Sequence, residues 1–100
     1  MTHDIQHETA LHRFSTTVEN HLCVLEYDLA DSVMTITHTR VPQAVSGKGI
    51  AAELTRVALQ TARHNGWQVM PQCSYAAVYI KRRPEYADLT PSDVKSPSTA

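Results

Sequence analysis

Glycine is scarce in this chain, with three residues in 100. Two of them, Gly47 and Gly49, crowd a single turn, which makes that turn worth close reading. Cysteine is scarcer still. Cys23 and Cys73 lie 50 residues apart, too few and too far apart to suggest the disulfide framework of a secreted mini-domain, so a reduced, cytoplasmic protein is expected. No apolar run is long enough for a transmembrane helix, and Met1 to Ala10 is too polar for a signal peptide, so no membrane association is expected. Neither sign of charge dominates: the net charge is -1 and the pI about 6.6. A general nucleic-acid binder needs a clustered basic face, and Lys81-Arg82-Arg83 is too short to be one. Six histidines are present. His3, His7 and His12 fall in or near a polar terminus, with no Cys or carboxylate pattern to complete a metal site, and none is expected.

What remains is one small domain with a modest core. Residues 1–11 lack apolar periodicity and read as a flexible start. His12 to Val18 is rich in β-branched and aromatic residues and reads as a strand. Glu19-Asn20 makes a two-residue turn. His21 to Asp28 follows as a second strand whose two faces are both largely apolar, which predicts a central strand covered on both sides. Leu29 to Ser32 looks like another hairpin turn. Val33 to Val41 is a third strand, with Met34, Ile36, His38 and Arg40 on one face by simple alternation. Pro42 ends it, having no N–H to donate.

Gly49 to His64 reads as the long helix, with Ile50, Leu54, Val57, Ala58 and Thr61 as its buried stripe. Asn65-Gly66 stops it, since both residues accept the left-handed conformation. Trp67 to Met70 is a fourth strand ended by Pro71. The strand–helix–strand order implies a right-handed crossover and parallel pairing of the third and fourth strands. Ser74 to Arg82 forms a short helix closed by Pro84-Glu85-Tyr86. From Thr90 to Ala100 the composition is that of a disordered tail. The expected fold class is therefore α/β (α+β): a mixed sheet of about four strands, antiparallel first, then a parallel β-α-β unit, with one long and one short helix.

The turn between the third strand and the long helix has the character of an anion cradle. The first N–H groups of a helix lack intrahelical partners and carry the positive end of its dipole. Glycine lets a ligand approach the main chain closely, and phosphate is the anion such turns favour. Ser46, Gly47, Lys48, Gly49, Ile50, Ala51 and Ala52 are the candidate contacts. Two other phosphate motifs fail on residue identity. A nucleoside triphosphate loop needs Ser or Thr after Gly47-Lys48, where Gly49 stands. The dinucleotide fingerprint needs a third glycine where Ala52 stands, and the rest of such a domain does not fit in this length. An ordinary tight turn is the bland alternative.

With these elements placed, several blocks carry a resemblance: His38-Thr39-Arg40-Val41-Pro42, Gly47-Lys48-Gly49-Ile50-Ala51, Pro71-Gln72-Cys73, Tyr79-Ile80, Arg83-Pro84-Glu85-Tyr86 and Asp88-Leu89. In that order and spacing, over roughly Arg13 to Leu89, they resemble the GNAT superfamily of acetyl-CoA-dependent N-acetyltransferases, and within it the miniature single-domain branch of YjdJ-like proteins. The resemblance implies a GNAT-like domain over 12–89. It implies that the glycine turn binds the pyrophosphate of CoA, and that the pantetheine arm runs through a splay between two parallel strands ending at Val41 and Met70. It implies acetyl-CoA and an amine acceptor as partners, with a monomer or weak dimer as the assembly. The family's turn usually carries Arg or Gln three residues before the first glycine, which is Ala44 here. The miniature branch often has Arg immediately before that glycine, which is Ser46 here. Both departures remove a charged phosphate contact, and Lys48 supplies part of the missing charge.

Acetyl transfer from a thioester to an amine needs a deprotonated amine, donors for the oxyanion and a proton for the departing thiolate. His38 is a candidate base, with an inert histidine packed on the sheet as the alternative. Cys73 lies at the carboxyl end of a parallel strand and opens a helix, a setting that lowers a thiol pKa and suits a covalent acetyl intermediate. The alternative is a small buried hydrophobe, the reading preferred for Cys23. Tyr79 is the candidate acid by the resemblance, against a ring packed on the sheet. Arg83, with Lys81 and Arg82, is a candidate contact for the adenosine 3′-phosphate, against a solvated basic surface. Two functions stay open: an N-acetyltransferase acting on a small-molecule or protein amine, and a non-catalytic acyl-CoA-binding or interaction module on the same scaffold.

Overall fold

In a computed structural model, which describes residues 4–90, a five-stranded sheet runs in chain order. Its strands are β1 (Gln6–Glu8), β2 (Arg13–Val18), β3 (His21–Ala30), β4 (Val33–Arg40) and β5 (Gln68–Pro71). The pairings are antiparallel from β1 to β4 and parallel between β4 and β5. Helix α1 (Ile50–Asn65) makes the crossover from β4 to β5. Helix α2 (Ser74–Lys81) follows β5, and a 3-10 segment, Pro84–Leu89, closes the described chain. The expected architecture is present with one strand more than expected.

That extra strand corrects the reading of residues 1–11 as a flexible start. Gln6-His7-Glu8 has no apolar alternation to announce a strand. Side chains hold it instead. The Glu8 carboxylate accepts from Arg13 Nε at 3.0 Å and Nη2 at 3.2 Å, and from the Ser15 hydroxyl. On the other side His7 stacks on Phe14 with ring centroids 4.1 Å apart, and its Nε2 meets Tyr27 Oη at 2.6 Å. Met1–His3 and residues 91–100, most of the expected tail, lie outside the described residues. Thr90 itself is buried, its hydroxyl donating to the Ala87 carbonyl.

The two hairpins form where expected because their turn residues accept the left-handed region. Glu19 and Asn20 have φ of 49° and 66°, and Asp31 and Ser32 have 52° and 62°. Two left-handed residues in succession give the type I′ turn, whose twist matches that of the strands. β3 therefore runs on to Ala30, two residues beyond the expected Asp28. It is central, and Cys23, Leu25 and Tyr27 are buried under α1, but Leu22 on the other face is half-exposed, so the expected double cover is incomplete.

Helix α1 begins one residue after Gly49 and buries Ile50, Leu54, Thr55, Ala58, Leu59 and Ala62. The stripe is thus rotated from the expected one: Val57 and Thr61 are only half-buried, while Thr55, Leu59 and Ala62 face the core. Thr55 is tolerated there because its hydroxyl donates to the Ala51 carbonyl at 2.8 Å. The stop at Asn65-Gly66 holds: Gly66 has φ of 73°, its N–H reaches the Arg63 carbonyl, and the Trp67 N–H reaches the Ala62 carbonyl at 2.8 Å.

β5 includes Pro71 rather than stopping before it. The N–H groups of Gln68 and Gln72 point to β4, donating to Ser32 at 2.9 Å and to Ile36 at 3.1 Å. By alternation Pro71 occupies an outward position on this edge strand, where a missing donor disrupts no ladder bond.

Candidate functional site

The site is built at one end of the sheet, where β4 and β5 both finish. Val41-Pro42 leads from β4 into a 3-10 turn, Gln43–Val45. Val45 is fully buried and Val41 packs against the same core, which fixes the inner side of the segment. The Ser46 hydroxyl folds back to the Gln43 carbonyl at 2.9 Å. Gly47 and Gly49 then take φ of 81° and 77°. Beyond their chain neighbours, no heavy atom lies within 4 Å of where a Cβ would stand on either glycine. The positive φ, not crowding, selects glycine here, and the space a side chain would fill is open.

The first bond of the α1 ladder runs from the Glu53 N–H to the Gly49 carbonyl at 3.1 Å. The N–H groups of Ile50, Ala51 and Ala52 therefore precede the ladder, and no side chain caps the helix. Three main-chain donors and the positive end of a long helix dipole face the open turn, which fits a phosphate. Lys48 is drawn aside: its Nζ lies 3.3 Å from the Glu19 carboxylate in the β2–β3 turn. Both groups are exposed, so the pair is weak and easily exchanged. Two surface hollows lie elsewhere, one lined by Gln60, Arg63, His64, Glu85 and Tyr86, the other by Asp4, Gln6, Ser15, Thr16 and Thr17. A main-chain cradle on an open turn is not a cavity, and neither hollow contains a residue of the turn.

At the same end β5 diverges from β4. Their pairing stops at Ile36 with Pro71, although β4 continues to Arg40. The N–H groups of Gln72 and Cys73 both donate to the Ile36 carbonyl, at 3.1 and 2.9 Å. Cys73 then stands in extended conformation directly before α2. Its thiol is half-buried, with Sγ 3.7 Å from the Thr39 hydroxyl. Burial opposes ionisation of this thiol most, yet the Ala76 N–H, the Thr39 hydroxyl, the Tyr75 N–H and the Thr39 main chain together outweigh it and hold the thiol below its ordinary value. Cys23 differs: it is fully buried, and burial alone pushes its thiol up.

His38 is not on the face the alternation predicted. Consecutive β3 residues Glu26 and Tyr27 pair with His38 and Ile36, so Thr37 is an extra residue, a bulge. The Thr37 hydroxyl donates to the Glu26 carbonyl at 3.2 Å. Past the bulge the faces exchange. His38 lies opposite Glu26, 3.8 Å from its carboxylate and 61% exposed, away from Met34 and Ile36. Thr39 turns inward in its place. The structure therefore brings Thr39, not His38, to Cys73.

Residues 13–89 match the family of GCN5-related N-acetyl-transferases. The chain belongs to this family. Among solved structures, the solution structure of a GCN5-like protein from Staphylococcus aureus shares the fold, with a TM-score of 0.71 and 23% identity over 91% of each chain. No curated protein matches.

Two remaining candidates lie farther along the chain, Tyr79 in α2 and Arg83 just beyond it. Tyr79 is buried, its ring 6.3 Å from both Tyr75 and Tyr86, and burial is the main influence pushing its hydroxyl up. It stands six positions after Cys73, roughly 9 Å along a helix axis. The Arg83 guanidinium lies over the Tyr79 ring, 4.0 Å from its centroid. Tyr86 connects this cluster to Arg63 near the end of α1, roughly 20 Å from the start of that helix by its rise per residue. Arg83 is thus tied to Tyr79, whose hydroxyl also feels the charge of Arg56 in the first half of α1. Among the described residues no group of three or more His, Cys, Asp or Glu could hold a metal ion, and no helix is long and apolar enough to cross a membrane.

Proposed function

We propose that this domain transfers an acetyl group from acetyl-CoA to an amine, with Cys73 as the transient acetyl carrier. The observation that carries the reading is the meeting of two features at the carboxyl ends of neighbouring parallel strands: an uncapped helix start on an open double-glycine turn, and a half-buried thiol held below its ordinary value. Open α/β sheets place their ligands at that end. The main-chain N–H groups of Ile50, Ala51 and Ala52 would hold the pyrophosphate, with Ser46, Gly47, Lys48 and Gly49 shaping the approach. Acetyl-CoA supplies a thioester, whose carbonyl carbon is the electrophile.

The Cys73 thiolate forms a new carbon–sulfur bond to that carbon, and the bond to the CoA sulfur breaks. A proton then neutralises the departing thiolate. Tyr79 keeps its proton, as an acid must, and is the candidate donor from α2. A neutral amine next attacks acetyl-Cys73, loses a proton and releases the Cys73 thiolate. His38 serves as base only for an amine that arrives on the outer face of β4, beside Glu26. The separation of His38 from Cys73 favours the second reading, a non-catalytic acyl-CoA-binding module.

Incubation with acetyl-CoA should add one acetyl mass to the intact protein, mapped to the Cys73 peptide and lost in Cys73→Ala. With an amine panel, wild type should then consume acetyl-CoA and release CoA thiol. Binding of CoA with no acetylated Cys73 and no consumption would establish the binding module instead.

A further inference from the structure

We propose that Thr39 is the positioning residue of the Cys73 thiol, placed for that task by the bulge at Thr37. The inference rests on the reading of Cys73 as the reacting group, but it starts from the backbone. In a regular strand Thr39 would share a face with Val33, Thr35 and Thr37, away from the core residues Met34 and Ile36. The extra residue reverses this. Thr39 pairs with Leu25, which is fully buried, and its hydroxyl comes within 3.7 Å of Cys73 Sγ.

The same bulge sets the other partner. Ile36, the last β4 residue before it, accepts from the N–H groups of both Gln72 and Cys73. The position of the thiol and the position of the hydroxyl are therefore referred to one point in β4. Thr37 secures that point through its bond to the Glu26 carbonyl. A threonine hydroxyl has one proton to donate, and a thiolate is an acceptor. Donation to the charged form stabilises it, and the hydroxyl's fixed rotamer range in a β-branched residue limits where Sγ can sit.

Valine replaces the hydroxyl by a methyl at nearly equal volume, and serine keeps the hydroxyl without the methyl. The rate of iodoacetamide alkylation at Cys73 can be followed against pH by peptide mapping, with buried Cys23 as the internal control. In Thr39→Val the midpoint of the profile should rise by about one pH unit, the size expected for losing one hydrogen bond to a charged group. In Thr39→Ser it should stay with wild type. Coincident profiles for wild type and Thr39→Val, or a Thr39→Ser profile that follows Thr39→Val, would overturn the proposal. This test needs no acetyl-CoA. A hydroxyl-dependent midpoint without acetylation of Cys73 would uphold the role of Thr39 and defeat acetyl transfer through Cys73, so the two failures are distinguishable.

Discussion

Gly49 is the residue on which the proposed phosphate contact depends most directly. Its φ of 77° is costly for any residue with a Cβ, by roughly 1–2 kcal/mol, which a domain of this size tolerates. The open space above it is the larger consideration. A Cβ there would meet nothing within 4 Å beyond its chain neighbours, and the branched carbons of a valine would extend into the region facing the first N–H groups of α1. Gly49→Val should therefore stay folded by circular dichroism and lose CoA binding by at least about tenfold in calorimetry, or about 1.4 kcal/mol. Lys48→Ala should behave differently. Its ammonium already shares an exposed pair with Glu19, and such pairs are worth about 0–1 kcal/mol. A change of less than about fivefold is expected. A collapse of affinity in Lys48→Ala with little change in Gly49→Val would reverse the assignment of the dominant contact.

At the scale of elements, β1 is joined to the sheet through a titratable group. Burial holds His7 below the ordinary 6.5, with the nearby charge of His12 adding to the effect. Phe14 and Tyr27 meet its ring, and His12, stacked on the Tyr27 ring, acts on it through charge. As pH falls, the unfolded chain takes up the proton first, so this contribution to stability is complete above 6.5 and declines as pH drops through and below that value. The urea midpoint should fall between pH 7.5 and pH 5.5, and His7→Gln should flatten part of that slope. An unchanged slope in His7→Gln would remove His7 from the account. Elements built on turn chemistry were legible in the sequence: Glu19-Asn20 announced the first hairpin, and Asn65-Gly66 the end of α1. β1 was not, because Gln6-His7-Glu8 is polar and its partners are supplied by Arg13, Phe14, Ser15 and Tyr27. The bulge was not either. Thr35-Ile36-Thr37-His38-Thr39 alternates without interruption, and only pairing with β3 reveals that one residue is left over. That single residue moved His38 off the predicted face and brought Thr39 inward.

For the whole molecule, the order of strands follows the order of the chain, so most of the fold could be read from local pattern and one crossover. The helix stripe was displaced because the side chains that face the core depend on where β3 and its neighbours lie beneath α1, which no period within the helix records. The candidate site divides the same way. The glycine turn was legible, since its conformation is encoded in Gly47 and Gly49. Of the surroundings of Cys73 the helix start with Tyr75 and Ala76 was legible, while Thr39 and Ile36 were not, since they come from β4, more than thirty positions earlier in the chain.

The outward position of Pro71 has a consequence for how copies of this protein meet one another. Along the free side of β5 the N–H groups fall at alternate residues. That of Trp67 is taken by Ala62, Pro71 has none, and that of Cys73 is taken by Ile36. Val69 remains, but it is fully buried, so no donor on this side is open to a second strand. The free side is therefore closed to growth of the sheet by a second molecule, and concentrated solutions are protected from edge-to-edge aggregation on that side. Pro71→Val restores a donor on that side and should raise the concentration-dependent mass seen by sedimentation; an unchanged mass would show that the missing N–H is not what closes this side.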